Sequence, residues 1–384
     1  MTFNRHASPI RTLFVHSSNE MYGADRILLE LLRSLPSPER EAAVVYLPDD
    51  LPSNDSRLAK HIEELGVETI VGPLPVLRRR YLTPSGLVPL LSRIWRSYRI
   101  MRKIRPDVVY GTTTAMVLCL PLACLAGVKS RVLHVQEIWS KRESRVLGIF
   151  ASFATHLLCI SAASVRSLGT SLAKRATLLV NAHQDSGKDL VPTSPSGPVR
   201  FVVASRWNAW KGHATLLDAW DTEEPLGELL ILAGPPPVGS SVDVPKLVGK
   251  LKNPDTVKII GEVQDIEQYL DDADFLVLPS DHPEPFGLVV LEAFARGRAV
   301  IASRAGGVVD IVKHGETGLL YEIGDAEDLR LKLTSVGKAS AQVLGNNARR
   351  AYLERYSIES YRRRFGEAWS RITSGKRAVL DAHR

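Results

Sequence analysis

Short apolar runs alternate with longer amphipathic segments along most of this chain. In the first half, seven runs have the length and composition of β-strands, and they fall at 12–16, 42–47, 68–71, 107–110, 131–135, 156–160 and 177–180. Segments with a helical period lie between them, most clearly at 24–35, 87–104 and 145–154. Because parallel strands are joined by crossover helices, this alternation predicts an α/β fold with a parallel sheet.

The pattern stops once and then restarts. The segment 184–198 is rich in Ser, Pro, Gly and charge and has no apolar period, which is typical of a linker. Strands are predicted again at 199–205, 228–233, 257–260, 275–278, 299–301 and 318–321. We therefore predict an N-terminal Rossmann-like domain at 1–183 and a second doubly wound domain at 199–356. Ligands of such sheets bind beyond the carboxyl ends of the strands, so a cleft between the two domains is expected.

Bulk properties are those of an ordinary globular protein. The 384 residues are 45% hydrophobic and 24% charged, and the net charge is +7, which suits anionic partners without choosing among them. The longest apolar stretch, 115–128, is broken by Pro121 and is shorter than the ~20 residues that a spanning helix needs. The polar N-terminus shows no signal peptide, and Cys119, Cys124 and Cys159 lie in apolar strings. We expect a cytoplasmic protein with buried, reduced thiols.

The most informative segment holds two carboxylates that stand eight positions apart, Glu284 and Glu292. The apolar run 288–294 predicts a helix, and Pro285 and Gly287 mark the turn that enters it. Glu284 is therefore expected on a loop at the mouth of this helix, and Glu292 near its second turn. The backbone N–H groups of the turn and the positive end of the helix dipole suit a phosphate. Two hydroxyl acceptors beside a phosphate site would suit a nucleotide sugar.

The order of elements around these carboxylates makes the pattern specific. A buried strand at 274–280 precedes them, a second strand follows at 297–303, and two glycine-containing segments follow at 305–312 and 315–320. This order resembles the nucleotide-sugar half of retaining glycosyltransferases of family four, the glycosyl transferases group 1, which have the GT-B fold. The resemblance implies two Rossmann-like domains and a C-terminal helix, at 357–384, that returns to the first domain.

On this resemblance, neither glutamate transfers a proton. It implies that Glu292 binds the ribose of the donor, while Glu284 and the backbone of Phe286, Gly287 and Leu288 bind the hydroxyls of the sugar. The co-substrate would be a UDP- or GDP-linked sugar. The sugar would pass to an acceptor hydroxyl with its anomeric configuration kept.

A pair of cations follows the first strand of the second domain. Arg206 and Lys211 are close enough in one loop to reach the same anion, the first as a planar fork and the second as a point charge. The usual alternative is a solvated surface pair. Because the family has an Arg…Lys-Gly signature here, the resemblance implies that both cations offset the charge of the departing nucleotide diphosphate.

Further positions follow from the same resemblance. Gly23 lies in the turn after the first strand, where a glycine lets the backbone approach a phosphate or sugar, but Tyr22 replaces the first glycine of the family's turn. Gln136 stands where family members often have a histidine; it can bind a hydroxyl but cannot exchange a proton. His134, two positions earlier on the same face, is either a second candidate or an ordinary strand histidine. Val263 falls in a loop that resembles the cradle for the base of the donor.

No spacing of His, Cys, Asp and Glu is typical of a metal site, and GT-B enzymes generally need no bound metal. We therefore expect no metal and no cofactor beyond the nucleotide sugar itself. Two other classes of protein remain open. One is a nucleotide-sugar epimerase with the same fold. The other is a catalytically degenerate protein that binds nucleotide sugars as a partner, which the departures at Tyr22 and Gln136 would suit.

The basic region 78–105 is a candidate for another kind of contact. It contains Arg78, Arg79 and Arg80 and then a helix whose arginines at 93, 96, 99 and 102 lie towards one side. A basic amphipathic helix can lie on an anionic membrane surface, although any helix that packs its apolar side on a sheet gives the same pattern. We expect contact with the inner face of the plasma membrane through this region. Such contact would suit a glycan or lipid-linked acceptor; no nucleic acid partner is expected.

Overall fold

Two parallel sheets organise the chain, one of seven strands and one of six. In the computed structural model they belong to separate units, Met1–Val180 with Arg362–Arg384 and Asn181–Tyr361. The structure describes residues 9–21, 23–51, 57–235 and 241–382. The predicted fold class, α/β with two doubly wound Rossmann-like sheets, is confirmed.

The first unit is built on a sheet with the order β3-β2-β1-β4-β5-β6-β7, and every neighbouring pair is parallel. Its strands are β1 Thr12–Val15, β2 Val44–Pro48, β3 Glu68–Gly72, β4 Val108–Gly111, β5 Ser130–Val135, β6 His156–Cys159 and β7 Ala176–Leu178. Its helices are α1 Gly23–Ser34, α2 Ser37–Glu41, α3 Arg57–Glu64, α4 Pro84–Ile104, α5 Cys119–Leu125, α6 Lys141–Ala151, α7 Ala162–Ser167 and α8 Thr170–Ala173. The central strands are buried throughout, as strands covered on both faces must be.

Helices α4 and α6 cover the same face of this sheet. Leu90 of α4 and Leu147 of α6 belong to one apolar cluster with Leu133 of β5 and Leu157 of β6. The same cluster contains Cys159, whereas Cys124, near the end of α5, is exposed. The prediction of a buried thiol is therefore wrong for Cys124, because the last turn of α5 turns that side chain away from the core.

The second unit has the strand order β10-β9-β8-β11-β12-β13, again all parallel. Its strands are β8 Arg200–Ala204, β9 Glu228–Leu232, β10 Val257–Gly261, β11 Phe275–Leu278, β12 Ala299–Ser303 and β13 Gly318–Tyr321. Its helices are α9 His213–Trp220, α10 Val244–Val248, α11 Glu267–Asp272, α12 Leu288–Ala295, α13 Val308–Ile311, α14 Ala326–Thr334 and α15 Lys338–Ala351, with a π-helical turn at Tyr352–Tyr356. In its core, Phe201 stacks on Phe275 and meets Trp220 edge to face.

The final helix, α16, spans Ile358–Ala382. Its residues from Arg362 onwards cluster with the first unit. There the Ser130 hydroxyl donates to the carbonyl of Ile372 at 2.9 Å, and Arg364 donates to the carbonyl of Val180 at 3.2 Å. The chain thus ends in the unit in which it began.

The segment 184–198 has neither helix nor strand, but it is held to the second unit. Arg296, which is almost completely buried, donates to the carbonyls of Lys188 and Asp189 at 3.1 and 2.8 Å. Both carboxylate oxygens of Asp271 accept from the same guanidinium, at 2.7 and 2.8 Å. Part of the predicted linker is therefore fixed by hydrogen bonds to a buried arginine of the second unit.

Candidate functional site

The strand order of the second unit reverses between β8 and β11, which lie side by side. In an open α/β sheet, this is where the loops at the carboxyl ends of the strands diverge and leave room for a ligand. The loop after β8 carries Arg206 and Lys211, and the loop after β11 carries Glu284. Two segments that are distant in sequence therefore meet at the edge of the sheet where binding is expected.

Close backbone contact holds these two loops together. Gly212 has a φ of 73°, and a Cβ at this position would lie 1.7 Å from the carbonyl oxygen of Pro279, so only glycine fits. The amide of Asp281 donates to the carbonyl of Trp210 at 2.9 Å. The Thr215 hydroxyl lies 2.9 and 3.0 Å from the two carboxylate oxygens of Asp281. These contacts position the short helical turn Ala209–Lys211 against the β11 loop.

Lys211 and Glu284 form a direct ion pair. The lysine Nζ lies 2.5 Å from Oε1 of Glu284, and the Ser280 hydroxyl donates to the same oxygen at 2.6 Å. The glutamate side chain is only 6% exposed and that of the lysine 19%, so both charges are largely removed from water. The ammonium also lies 4.1 Å from the ring centroid of Trp210. Because an ammonium has three donors, Lys211 can bind a further anion without leaving Glu284.

The backbone of Glu284 is fixed by the glycines that follow β12. Gly307 donates to the carbonyl of Glu284 at 2.7 Å, and Gly306 pairs with Glu284 as an isolated parallel bridge. A Cβ on Gly306 would lie 2.1 Å from the carbonyl oxygen of Glu284, and the φ of Gly306 is 73°. The paired glycines thus allow a backbone approach that any side chain would block.

Helix α12 begins directly after this loop, with Gly287 at its N-cap. Phe286 is buried, and Leu288 is the first residue of the helix. Glu292 lies in the second turn and is half-buried. Arg206 is half-buried in the loop after β8, and both it and Glu292 interact within the protein.

Val263 lies apart from this cluster. It follows β10, the edge strand of the sheet, and β9 separates that strand from β8. The structure therefore brings Lys211 and Glu284 together but leaves Val263 two strands away. Ser280 and Gly306 were missed as members of the cluster, although a serine at the end of a strand and a Gly-Gly pair after the next strand were visible in the sequence.

The strand order of the first unit reverses between β1 and β4, and a second polar network lies there. His16, at the end of β1, is fully buried and uses both ring nitrogens. Nδ1 lies 2.6 Å from the Thr112 hydroxyl at the end of β4, and Nε2 lies 2.7 Å from Oδ1 of Asp25. Asp25 is in the first turn of α1, two residues after Gly23, which opens that helix. Tyr22 lies outside the described residues.

Gln136, at the end of β5, joins the same edge. Its side-chain nitrogen donates to the carbonyl of Thr112 at 2.8 Å, and its backbone amide donates to Oε2 of Glu137 at 3.1 Å. Glu137 also accepts from the amide and hydroxyl of Thr114. Burial raises the pKa of Glu137, although these hydrogen bonds oppose the shift. The sequence did not single out His16, Asp25 or Glu137.

His134 lies deeper in the sheet. Its Nδ1 is 3.2 Å from the Tyr110 hydroxyl, and its Nε2 is buried without a hydrogen-bond partner among the described residues. Burial lowers its pKa from 6.5 to about 3, so the ring is neutral at physiological pH. Burial and the nearby Lys211 likewise lower the pKa of His213 to about 4. Both histidines have the properties of core residues.

No three His, Cys, Asp or Glu side chains in the part of the chain that the structure describes are grouped so that they could hold a metal ion. Within the same ranges, no helix combines the length and the apolar character required to cross a bilayer.

Comparison with known proteins gives consistent results. Residues 191–351 match the family model for glycosyl transferases group 1. The lipopolysaccharide core biosynthesis glycosyltransferase LpsE of Rhizobium meliloti is 26% identical over 347 residues, which cover 86% of this chain and 88% of that protein. The N-acetyl-alpha-D-glucosaminyl L-malate synthase of Bacillus anthracis is 33% identical over 123 residues, but the match spans only 30% of that protein.

A solved structure shares the fold over nearly the whole chain. The Anabaena protein HepE, solved in complex with UDP-glucose, superposes with a TM-score of 0.75 at 22% identity. The superposition covers 94% of this chain and 99% of HepE. At this identity the likeness is one of fold, and it agrees with the GT-B architecture that the sequence resemblance implied.

Proposed function

Because residues 191–351 form a domain of the glycosyl transferases group 1 family, we propose that this protein is a retaining glycosyltransferase. Its donor is a UDP- or GDP-linked sugar, and its acceptor is a hydroxyl of a cell-surface glycan or glycolipid. The solved HepE complex with UDP-glucose and the likeness to the lipopolysaccharide enzyme LpsE support this donor and acceptor class.

The observation that carries the proposal is the ion pair between Lys211 and Glu284 where the strand order reverses. The Lys211 ammonium keeps donors available for phosphate oxygens, and Arg206 follows the same strand. Glu284 accepts both of its described hydrogen bonds at Oε1, so Oε2 is the oxygen that would accept from a sugar hydroxyl. The N-terminus of α12 adds N–H groups and the positive end of a helix dipole.

In the proposed reaction, the acceptor oxygen attacks the anomeric carbon on the face from which the diphosphate departs. The bond from that carbon to the phosphate oxygen breaks, the new glycosidic bond forms, and a phosphate oxygen takes the acceptor's proton. Arg206 and Lys211 offset the charge that builds on the diphosphate. Glu292 holds the ribose, and Glu284 with the backbone of 286–288 holds the sugar. No metal takes part, and the configuration is retained.

The first unit contributes the acceptor side. Gly23, in the turn after β1, also contributes to donor binding. Gln136, at the end of β5, can bind a hydroxyl of the donor sugar but cannot accept a proton as a base. His134 is the weaker candidate, because it is fully buried and its pKa is near 3. We place the enzyme in the cytoplasm, with its acceptor at the inner face of the membrane.

The test is a donor screen followed by a transfer assay. UDP- and GDP-sugars are first ranked by the shift in melting temperature, and the best binder is then assayed with lipid and glycan extracts for nucleotide release. In the Glu284→Gln variant, transfer should fall by about a hundredfold or more, because the sugar loses its charged acceptor and Lys211 its partner. Proton NMR of the product reports whether the anomeric configuration is kept.

The control is Glu223→Gln, which removes a glutamate from an exposed ion pair with Lys252 and should leave the rate unchanged. Full transfer by Glu284→Gln would reject the assigned role of this residue. Conversion of the donor sugar without an acceptor would instead identify an epimerase. A thermal shift with no turnover of any donor would identify a binding protein.

A further inference from the structure

Helix α4 exposes an apolar stripe over the first half of its length. Its members are between 50% and 72% exposed, and they are Leu87, Val88, Leu91 and Trp95. At 3.6 residues per turn, these four positions lie within about a third of the circumference of the helix. A different side, roughly 120° around the helix axis, packs inwards through Leu90 and Met101, which are buried. The stripe is therefore not the core face of the helix.

The second half of the same helix is basic on a side that overlaps the stripe. Arg96, Arg99, Arg102 and Lys103 are exposed, and the sequence of α4 contains no Asp or Glu. The guanidinium of Arg99 lies 4.8 Å from the ring centroid of Trp95, which joins the two halves. The exposed side of α4 thus changes from apolar to cationic along one helix.

Helix α6 presents a second surface of the same kind. Val146, Ile149 and the following Phe153 are exposed at helical spacing. Lys141, Arg142 and Arg145 are exposed beside them, and the only acidic residue of α6, Glu143, caps the backbone of Ser140. Because α4 and α6 cover the same face of the first sheet, their exposed sides point away from that sheet in the same sense.

Three arginines of the predicted basic region pair with carboxylates of the first unit. Arg93 is 15% exposed and pairs with Asp49 at 2.7 Å, and Arg78 and Arg80 pair with Asp50. These three side chains share two carboxylates, so most of their charge is offset within the first unit. The exposed cationic surface therefore begins at Arg96 of α4, inside the predicted region 78–105, and continues on α6, outside that region.

We infer that the exposed sides of α4 and α6 form one docking surface for an anionic lipid bilayer. Apolar side chains that include a tryptophan enter the interface between headgroups and acyl chains, while the surrounding arginines and lysines meet lipid phosphates. An acidic protein partner would match the charge but gives no reason for two separate apolar stripes without acidic neighbours. The surface deepens the proposed function, since it would hold the enzyme at a lipid-linked acceptor.

The experiment measures cosedimentation of the full chain with vesicles. One set contains phosphatidylcholine alone, and the other contains phosphatidylcholine and phosphatidylglycerol in equal parts. The native chain should bind the anionic vesicles, bind neutral ones far more weakly, and be released as the salt concentration rises. The double variant Leu91→Glu, Trp95→Glu should reduce the bound fraction by roughly tenfold or more. A second double variant, Arg96→Glu, Arg99→Glu, should do the same without touching an apolar residue.

Matched controls come from the second unit. Leu331→Glu with Val343→Glu replaces two comparably exposed apolar residues, and Lys246→Glu with Lys250→Glu makes the same charge reversal. Both should bind vesicles as the native chain does. Circular dichroism verifies that each variant is folded; all the replaced side chains are exposed, so unfolding is not expected.

Three results would overturn the inference. The native chain does not bind anionic vesicles, or the α4 variants bind them as well as the native chain does. In the third, the native chain is a dimer that binds no vesicles, and the α4 variants are monomers. The outcome is separable from that of the proposed function. If the chain binds vesicles but transfers no sugar, the docking surface is supported and the glycosyltransferase proposal is rejected. If it transfers sugar to a soluble acceptor but binds no vesicles, the glycosyltransferase proposal is supported and the docking surface is rejected.

Discussion

At the scale of single residues, the buried polar groups of this protein are of two kinds. Glu284 is buried but satisfied, because Lys211 and Ser280 both contact its Oε1. His134 and His213 are buried with incomplete hydrogen bonding, and burial lowers the pKa of each well below 6.5. The first kind is typical of binding sites and the second of cores. Side-chain type alone does not distinguish them, since all three are ionisable residues.

His134 should make the stability of the first unit sensitive to acid. Its pKa is about 3 in the folded protein against 6.5 in the unfolded chain, so the unfolded state binds the proton first. Stability is therefore complete above about pH 6.5 and falls towards pH 3, by at most about 1.4 kcal/mol per pH unit. In His134→Gln, this part of the pH dependence of the free energy of unfolding should disappear. Urea-unfolding curves recorded between these pH values measure it.

The matched control for this prediction is His282→Gln, which replaces an exposed histidine and should leave the slope unchanged. NMR gives a direct measurement, because the ring protons of His134 should keep their chemical shifts from pH 7 to pH 4. A ring that titrates near pH 6.5 would contradict the burial argument.

At the scale of elements, the loops after β8, β11 and β12 act as one unit. Each has a glycine or a short turn that lets its backbone touch the next loop, and the clearest contact is that of Gly306 with Glu284. The strands themselves would form without these contacts. The position of the Glu284 carboxylate would not be maintained, because its backbone is held by the two glycines and by nothing in its own loop that the structure describes.

Gly306→Ala tests this coupling, with Gly315→Ala as its control. Both glycines have a positive φ, 73° and 76°, so alanine costs about 1–2 kcal/mol at either position. Only at Gly306 does the new methyl group meet backbone, and this overlap should cost a further 1–3 kcal/mol or so. Chemical unfolding of the second unit measures both losses. Transfer activity should fall in Gly306→Ala and survive in Gly315→Ala; equal losses of stability would show that the contact is unimportant.

At the scale of the whole molecule, the connection between the units is better ordered than its composition indicates. The linker prediction for 184–198 was made from Ser, Pro and Gly content, yet Arg296 and Arg298 bind three of its carbonyls. Arg349 adds an ion pair with Asp185 at 2.6 Å. Arginines of the second unit therefore fix the first half of the connection, and the remainder, up to β8, is exposed.

Arg296→Ala should both destabilise the second unit and expose the connection. The substitution leaves Asp271 and two carbonyls without their buried partner, which should cost about 3–5 kcal/mol. Limited proteolysis should then cut within 184–198 faster than in the native chain. Arg304→Ala removes an arginine from an exposed ion pair with Glu322 and should change stability by less than about 1 kcal/mol. Equal rates of proteolysis in the two variants would show that the hydrogen bonds of Arg296 do not hold the connection.

The sequence by itself determined the elements and their class. Strands at Phe275–Leu278 and Gly318–Tyr321 agree with the prediction residue for residue, and α12 begins directly after Gly287, as the turn chemistry required. These features depend on side-chain period and on local backbone conformation, which neighbouring residues decide. The Gly-Gly pair, the Arg…Lys-Gly loop and the order of strands were sufficient for the family resemblance.

The tertiary structure decided which of these residues meet. Lys211 and Glu284 are 73 positions apart, and His16 and Thr112 are 96 apart; each pair is joined only because the sheets place β8 beside β11 and β1 beside β4. Strand order is a non-local property that hydrophobic period does not encode. For the same reason, only the packed structure shows that Arg93 pairs with Asp49 and that Cys124 is exposed. It also shows that α4 has two apolar faces, one in the core and one in solvent.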